Sequence, residues 1–404
     1  MANTNLTISM VTKECLAVLE NNLTFAKGCN REYDDQFAIG GAKIGDTINI
    51  RKPARYAGRT GATMSVEDHT ETSVALQLDT QFGVDINFTS KELSLSIDEF
   101  SDRIIKPAMA VVANKVDAAG LLMAYQSVYN TVGTPGTVPT ALKTYLQAGA
   151  KMDYEAAPRD GNRSIVLDPT AQVEIVDALK GLFQSGEQIK SQYEKGNMGL
   201  AGGFKWSMDQ NIYTHTVGPL GGTPLVNGAT AQGATTLVTD GWTASAANRL
   251  KKGDVFTIAN VFAVNPQTRV STGQLRQFVV TADTDSSAGG AATIPISPAI
   301  ASTGAFATVN ALPADNAALT ILGAANTLSP QHLAYHKNAF VLGCADLLLP
   351  KGVDMAARIS DKQLGLSARM VRQYDIVNDK FPCRFDILFG WKALYPELAC
   401  RIAG

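Results

Sequence analysis

The chain has 404 residues, 45% of them hydrophobic and 18% charged, with 35 Lys and Arg against 37 Asp and Glu for a formal net charge of −2. That length exceeds what a single hydrophobic core usually serves, so two or more compact domains are expected. The balanced charge argues against a protein that grips nucleic acid by its phosphates over a broad face, and five scattered cysteines without a C-x-x-C pair argue against a disulfide framework or zinc centre.

The first ten residues, M-A-N-T-N-L-T-I-S-M, lack a basic stretch followed by an apolar one, so no export signal is expected. No apolar run nears the roughly 18–20 residues of a membrane span. Residues 1–45 read as an arm with one short helix. Thr12 precedes Cys15, Leu16, Val18, Leu19 and Leu23 on helical spacing, and Gly28 ends the run.

From Asp46 to Phe88 the period becomes two. Ile48 and Ile50 alternate with polar neighbours, as do Val74, Leu76 and Leu78, then Phe82, Val84, Ile86 and Phe88. Between these strands, 51–72 is polar, charged and glycine-containing, too long for a tight turn. It reads as a long excursion from the body. Its first part places Arg51, Lys52, Arg55 and Arg59 within nine residues, and its return is acidic, with Glu67, Asp68 and Glu71.

The longest helical signal follows. Ser96 and Glu99 form a capping box, and Ile97, Phe100, Ile104, Ala108, Val111, Val112, Val116, Ala119 and Leu122 recur mostly at steps of three and four. A continuous helix to Val128 would span about 48 Å at the α-helical rise. Pro107 is expected to kink it or to open a second segment.

Farther on, 164–169 reads as a buried strand ended by a proline turn, 171–183 as a helix, 196–203 as a mobile glycine-rich loop, and 204–217 as a return to strand. Between about 219 and 325 charges become sparse, and short β runs recur at 235–242, 253–258, 277–282 and 292–297. An inserted all-β domain, a small barrel or sandwich, is expected there. From 332 the pattern turns mixed, with strands at 368–377 and 384–391.

Chemistry finds little support. There is no phosphate-binding glycine loop, dinucleotide fingerprint or G-x-S-x-G. His332 and His336 are spaced to share a helix face, and Cys344 follows them. No acidic base lies between the two histidines and no third ligand is specified, so neither a metal site nor a Cys–His centre is expected. No catalytic residue and no cofactor is expected. The cationic stretch has only Tyr56 as an aromatic neighbour, which disfavours a nucleic-acid platform. Plus charges followed by minus charges are self-complementary, within the excursion or between copies.

The segments G-D-T-I-N-I-R-K-P (45–53), F-T-S-K-E-L-S-L-S-I-D-E-F (88–100), G-F-K-W-S-M-D-Q-N-I (203–212), L-V-T-D-G-W (237–242), L-K-K-G-D-V-F-T-I (250–258) and V-R-Q-Y-D-I-V-N-D-K-F-P-C-R-F-D-I-L-F-G-W (371–391) together resemble the P22-type coat proteins of tailed bacteriophages. The resemblance implies an α+β, HK97-like capsid fold: an N-terminal arm (1–45), an extended β loop (46–90), a spine helix (91–130), a peripheral and axial domain (131–218, returning at 326–404) and an inserted β domain (219–325).

It further implies a major capsid protein with no enzymatic activity, forming hexamers and pentamers of itself. A scaffolding protein, a portal protein and enclosed double-stranded DNA without sequence-specific binding would be its partners. Assembly would take place in the bacterial host cytoplasm, with no membrane involved. On this reading Arg51, Lys52, Arg55, Arg59, Glu67, Asp68 and Glu71 belong to an inter-subunit contact, and Pro107 is a helix hinge. No Lys–Asn cross-link is expected. An encapsulin-type compartment shares the fold, but typically lacks the inserted β domain. A β-rich adhesin module would need export.

Overall fold

The computed structural model describes residues 23–31, 47–89 apart from 57, 65, 69 and 70, 106–179, 199–361 and 366–404. The arm helix expected after Thr12, apart from its end, and the capping box at Ser96 and Glu99 lie outside the described residues. The chain divides into two compact units, one of residues 1–50, 73–120 and 340–392, the other of 51–72, 121–339 and 393–404. Helix and strand are mixed in the α+β manner expected.

In the first unit a short helix α1 (Phe25–Gly28) takes Gly28 as its last residue. Strands β1 (Thr47–Lys52) and β2 (Thr72–Gln77) pair as a two-stranded sheet at the foot of the excursion. The expected alternation holds: Ile48, Ile50, Leu76 and Leu78 are buried while their neighbours face outward. β3 (Thr80–Thr89) then runs antiparallel to the long strand β19 (Lys380–Ala393), from Thr80 opposite Phe389 to Thr89 opposite Lys380. β16 (Phe340–Ala345), β17 (Met355–Asp361) and β18 (Leu366–Arg372) complete a five-stranded sheet in the order β16-β19-β18-β17, with β3 also on β19.

Helix α2 (Lys106–Ser127) covers that sheet. Pro107 is its second described residue, and the helix runs unbroken from there to Ser127. Met109, Val112, Ala113 and Val116 pack against Leu342, Met370, Phe385, Ile387 and Phe389. This face differs in part from the one read from spacing, because Val111 is 51% and Leu122 36% exposed. The helix is apolar on nearly every side, so periodicity alone does not select a face. Gly120 is required where it stands: a Cβ there would lie 2.7 Å from the Trp391 ring and 2.9 Å from that of Phe25.

In the second unit a seven-stranded mixed sheet has the order β4-β20-β15-β5-β7-β6, with β8 also on β15. Its strands are β4 (Thr131–Gly133), β5 (Arg163–Leu167), β6 (Leu200–Ala201), β7 (Phe204–Met208), β8 (Thr214–Thr216), β15 (Leu328–His336) and β20 (Ala399–Ala403). Helices α3 (Leu142–Tyr154) and α4 (Pro169–Leu179) cover it, burying Tyr145, Met152, Ile175 and Trp206 against Ile165, Leu167 and Ile402.

Two readings are corrected here. Pro169 does not make a turn; it opens α4, with Asp168 Oδ1 accepting the Ala171 N–H at 2.7 Å as an N-cap. The stretch from His332 is a strand rather than a helix, so His332 and His336 share a strand face of β15.

Six further strands of this unit form an antiparallel sheet: β9 (Gly222–Val226), β10 (Ala234–Trp242), β11 (Val255–Val264), β12 (Ser271–Val280), β13 (Ala292–Ile300) and β14 (Leu319–Ile321), ordered β14-β11-β12-β13-β10-β9. Four of them match the β runs expected at 235–242, 253–258, 277–282 and 292–297. The sheet closes on itself. Leu225 bridges Ala318, the Val226 N–H donates to Ala317 O at 2.9 Å, and the Asn316 N–H donates to Val226 O at 2.9 Å. Closure removes the exposed edges an open sheet would present. Inside lie Leu237, Trp242, Phe256, Ile258, Phe278, Ile294 and Val309, all buried.

Candidate inter-subunit surface

The excursion between β1 and β2 has an anchored root and an exposed tip. At the root, the Lys52 ammonium stands 4.8 Å from the centre of the Tyr395 ring. Burial lowers the Lys52 pKa; Glu397 opposes that shift and Arg55 adds to it. Arg55 Nη2 donates to Glu397 Oε1 at 2.7 Å, and the guanidinium lies 5.8 Å from the Phe306 ring centre. Arg269 Nη2 donates to the Tyr56 carbonyl at 3.2 Å. Burial lowers the Arg269 pKa, and Arg55 lowers it further.

Beyond Tyr56 the described residues as far as Asp68 are exposed. Arg51 faces Glu71 at 3.8 Å with 83% and 48% of their side chains exposed, a pair of small energetic weight. Glu67 Oε1 accepts the Gly58 N–H at 2.7 Å, and Arg59 donates to the Gly61 carbonyl. Gly61 has φ +105°, a backbone only glycine adopts freely. Asp68 is exposed, as are Met64 at 76% and Val66 at 78%.

The structure therefore divides the four cations. Lys52 and Arg55 tie the root down within the second unit, whereas Arg51 and Arg59 are exposed. Tyr395, Glu397, Phe306 and Arg269 were not singled out from sequence. They lie hundreds of residues from the excursion, and no local pattern marks them.

Another residue missed by sequence reading is Asp117 of α2, 1% exposed. Its Oδ2 accepts the N–H groups of Thr24 at 2.6 Å and Phe25 at 3.1 Å, and its Oδ1 that of Ala26 at 3.0 Å. α1 has no side-chain cap of its own. A carboxylate from a different helix satisfies its N-terminal donors and opposes the positive helix end.

A second polar anchor fixes β12 to the end of α3. Arg276 donates to Glu155 and stacks 4.5 Å from the centre of the Tyr129 ring, with 2% and 9% of the paired side chains exposed. Burial pushes the Glu155 carboxyl upward, and Arg276 opposes that shift.

The residues weighed for chemistry are engaged structurally. His332 Nδ1 accepts the Asp168 N–H at 3.3 Å, and burial lowers its pKa to about 4. His336 Nε2 lies 3.1 Å from Asp160 Oδ1. Cys344 is buried, its sulfur accepting the Ser367 N–H at 3.3 Å. Among the described residues no group of three or more His, Cys, Asp or Glu side chains is placed to hold a metal. The reading that no apolar run nears a membrane span is corrected: Pro107–Ser127 of α2 is long and apolar enough by composition to cross a membrane, and 56% of its most apolar 18-residue stretch is buried inside the protein.

The chain was compared with known proteins. The family model described as "P22 coat protein - gene protein 5" matches residues 1–404. No curated relative matches. Among solved structures, that of Mycobacterium phage Che8 is 11% identical, covering 94% of this chain and 90% of that one, with a TM-score of 0.47. The capsid of Ralstonia phage GP4 is 8% identical over 94% and 87%, with a TM-score of 0.46. The CUS-3 coat protein I-domain is 30% identical over 25% of this chain and 95% of its own, with a TM-score of 0.19.

Proposed function

The chain belongs to the P22 coat protein family and is a major capsid protein, and from that premise we propose how it builds its shell. Copies associate through many modest contacts into hexamers and pentamers on an HK97-like framework. The excursion of each copy reaches a neighbour. Weak interfaces repeated over a closed surface sum to a stable shell, so no single contact need be strong.

The observation that carries this reading is the division of the excursion. Its root is tied down by Lys52, Arg55 and Tyr56, while Arg51, Arg59, Met64 and Val66 are displayed. A segment held at its base and bare at its end suits contact with another copy. In the same reading residues 219–325 form the inserted β domain, the segment around Pro107 adapts the spine helix to different neighbours, and the chain acts structurally rather than as an enzyme. An internal scaffolding protein guides assembly, a portal occupies one vertex, and double-stranded DNA is enclosed without sequence-specific contacts.

Negative-stain electron microscopy of the purified protein, expressed with and without a scaffolding partner, tests the proposal. Closed shells of uniform size with the partner, and aberrant shells or spirals without it, are expected. Monomers or small closed oligomers in both preparations would overturn it.

A further inference from the structure

A groove between the end of α2, β8 and two turns of the barrel is lined by residues far apart in the chain, among them Tyr125, Tyr213, His215, Lys251, Lys252 and Asp283. All six belong to the second unit. The groove encloses about 530 Å³, within the range of small-molecule sites.

Its aromatic wall is fixed. The rings of Tyr125 and Tyr213 stack with centres 4.7 Å apart and planes 9° apart. Tyr125 is buried, whereas Tyr213 is 43% exposed, so the stack ends in a ring that a further planar group can cover. The His215 ring stands 5.5 Å from that of Tyr125, and its Nε2 lies 2.7 Å from Asp254 Oδ1. Burial raises the Tyr125 pKa to about 12, so this wall carries no phenolate charge near neutral pH.

The cations come from the turn Lys251-Lys252-Gly253-Asp254. Asp254 Oδ2 accepts the Lys251 N–H at 2.7 Å, Asp283 Oδ1 accepts the Lys252 N–H at 2.7 Å, and Arg401 Nη1 donates to the Gly253 carbonyl at 2.8 Å. Gly253 lets the turn press on Tyr125, since a Cβ there would lie 2.6 Å from the ring. The backbone is pinned while the two ammonium groups stay available: among the described residues neither pairs with a carboxylate. Asp283, also in the lining, repels an anion placed beside it and so favours the lysine side for negative charge.

We propose that this groove binds a nucleoside phosphate, with the base stacked on Tyr213 and the phosphate held by Lys251 and Lys252. Stacking on an aromatic ring and charge-assisted bonds from lysine are the two contacts such a ligand offers. Two sources carry that chemistry, a free nucleotide and an unpaired stretch of nucleic acid. A base inside a duplex is already stacked on its neighbours and does not fit. None of these residues lies on the excursion, so the site stands apart from the assembly reading.

Equilibrium dialysis of the full-length chain against labelled AMP tests the proposal. Saturable binding at a single site is expected, with inorganic phosphate competing at least tenfold more weakly because it cannot stack. Lys251→Ala with Lys252→Ala should weaken AMP binding at least tenfold, Tyr213→Ala about as much, and Tyr213→Phe hardly at all, because the ring is kept. The turn is held by backbone groups that these substitutions leave in place, so a wild-type urea midpoint is expected of all three variants. Competition by a short single-stranded oligodeoxyadenylate, as strong as that of unlabelled AMP, would identify an unpaired strand as the source. Failure of the oligonucleotide to compete would identify the free nucleotide. No saturable binding up to about 10 mM AMP, equal competition by phosphate, or an affinity unmoved by both the lysine and the Tyr213→Ala substitutions would overturn the proposal.

Discussion

Two Arg–Glu pairs use the same chemistry to different ends. Arg276–Glu155 is almost fully buried, is backed by the Tyr129 ring, and pins a strand of the six-stranded barrel to α3. Arg55–Glu397 is made at 2.7 Å with 35% and 15% of its side chains exposed, and pins the root of the excursion. Water separates their consequences. In the first pair each charge has forfeited its hydration and depends on its partner. In the second, solvent takes over much of the work if the partner leaves. The interior is fastened by contacts that cannot be undone cheaply, and the displayed segment by contacts that can.

Removing Arg276 should have the largest effect. Arg276→Ala leaves the Glu155 carboxylate buried without its cation, and should cost about 3–5 kcal/mol in urea unfolding. Replacing both partners, Arg276→Met with Glu155→Leu, should recover most of that loss, because no charge is then stranded. If the double variant is as unstable as the single one, the pair matters through packing rather than charge.

The acid limb of stability sharpens the same point. Burial already raises the Glu155 pKa in the folded protein, and loss of Arg276 removes the main opposing influence. A carboxyl whose folded pKa lies above its unfolded value takes up a proton on folding. It favours the folded state below the unfolded pKa, and that contribution is lost as pH rises through the folded pKa. Arg276→Met should therefore lose stability relative to the wild type as pH climbs from about 4. A difference between the two urea midpoints that stays constant with pH would refute this.

What could be read in advance follows the range of the interactions involved. Strands β1 and β3 were legible because alternation is a local property, set by which neighbours face water, and four strands of the barrel because short β runs between turn residues are local as well. The excursion was legible for the complementary reason: 51–72 had neither period. The face of α2 was only partly legible, since Val111 and Val112 are equally apolar and only the sheet beneath decides which is covered. Asp117 was not singled out from sequence. Its three donors come from residues 91 to 93 positions away, and no pattern within the helix reports them. Glu397 is likewise 342 positions from Arg55. The four cations looked alike for that reason, and only the fold separates anchors from displayed groups.

That separation makes the smallest effects on stability the most telling. Arg55→Ala should cost the monomer about 1 kcal/mol, as expected for a pair that solvent still reaches. It should nevertheless loosen the excursion, which limited proteolysis between Tyr56 and Glu71 would register as faster cleavage. Arg51→Glu with Arg59→Glu should leave both the urea midpoint and the cleavage rate of the monomer unchanged, because neither side chain holds the root. Shell formation should suffer in both variants for different reasons: a misplaced tip in one, a correctly placed tip of the wrong sign in the other. Raising the salt concentration distinguishes them. Screening should partly restore assembly of the Glu variant, where repulsion is the defect, and do nothing for Arg55→Ala. If salt rescues neither, the exposed cations act through something other than charge, and the division between root and tip loses its functional meaning.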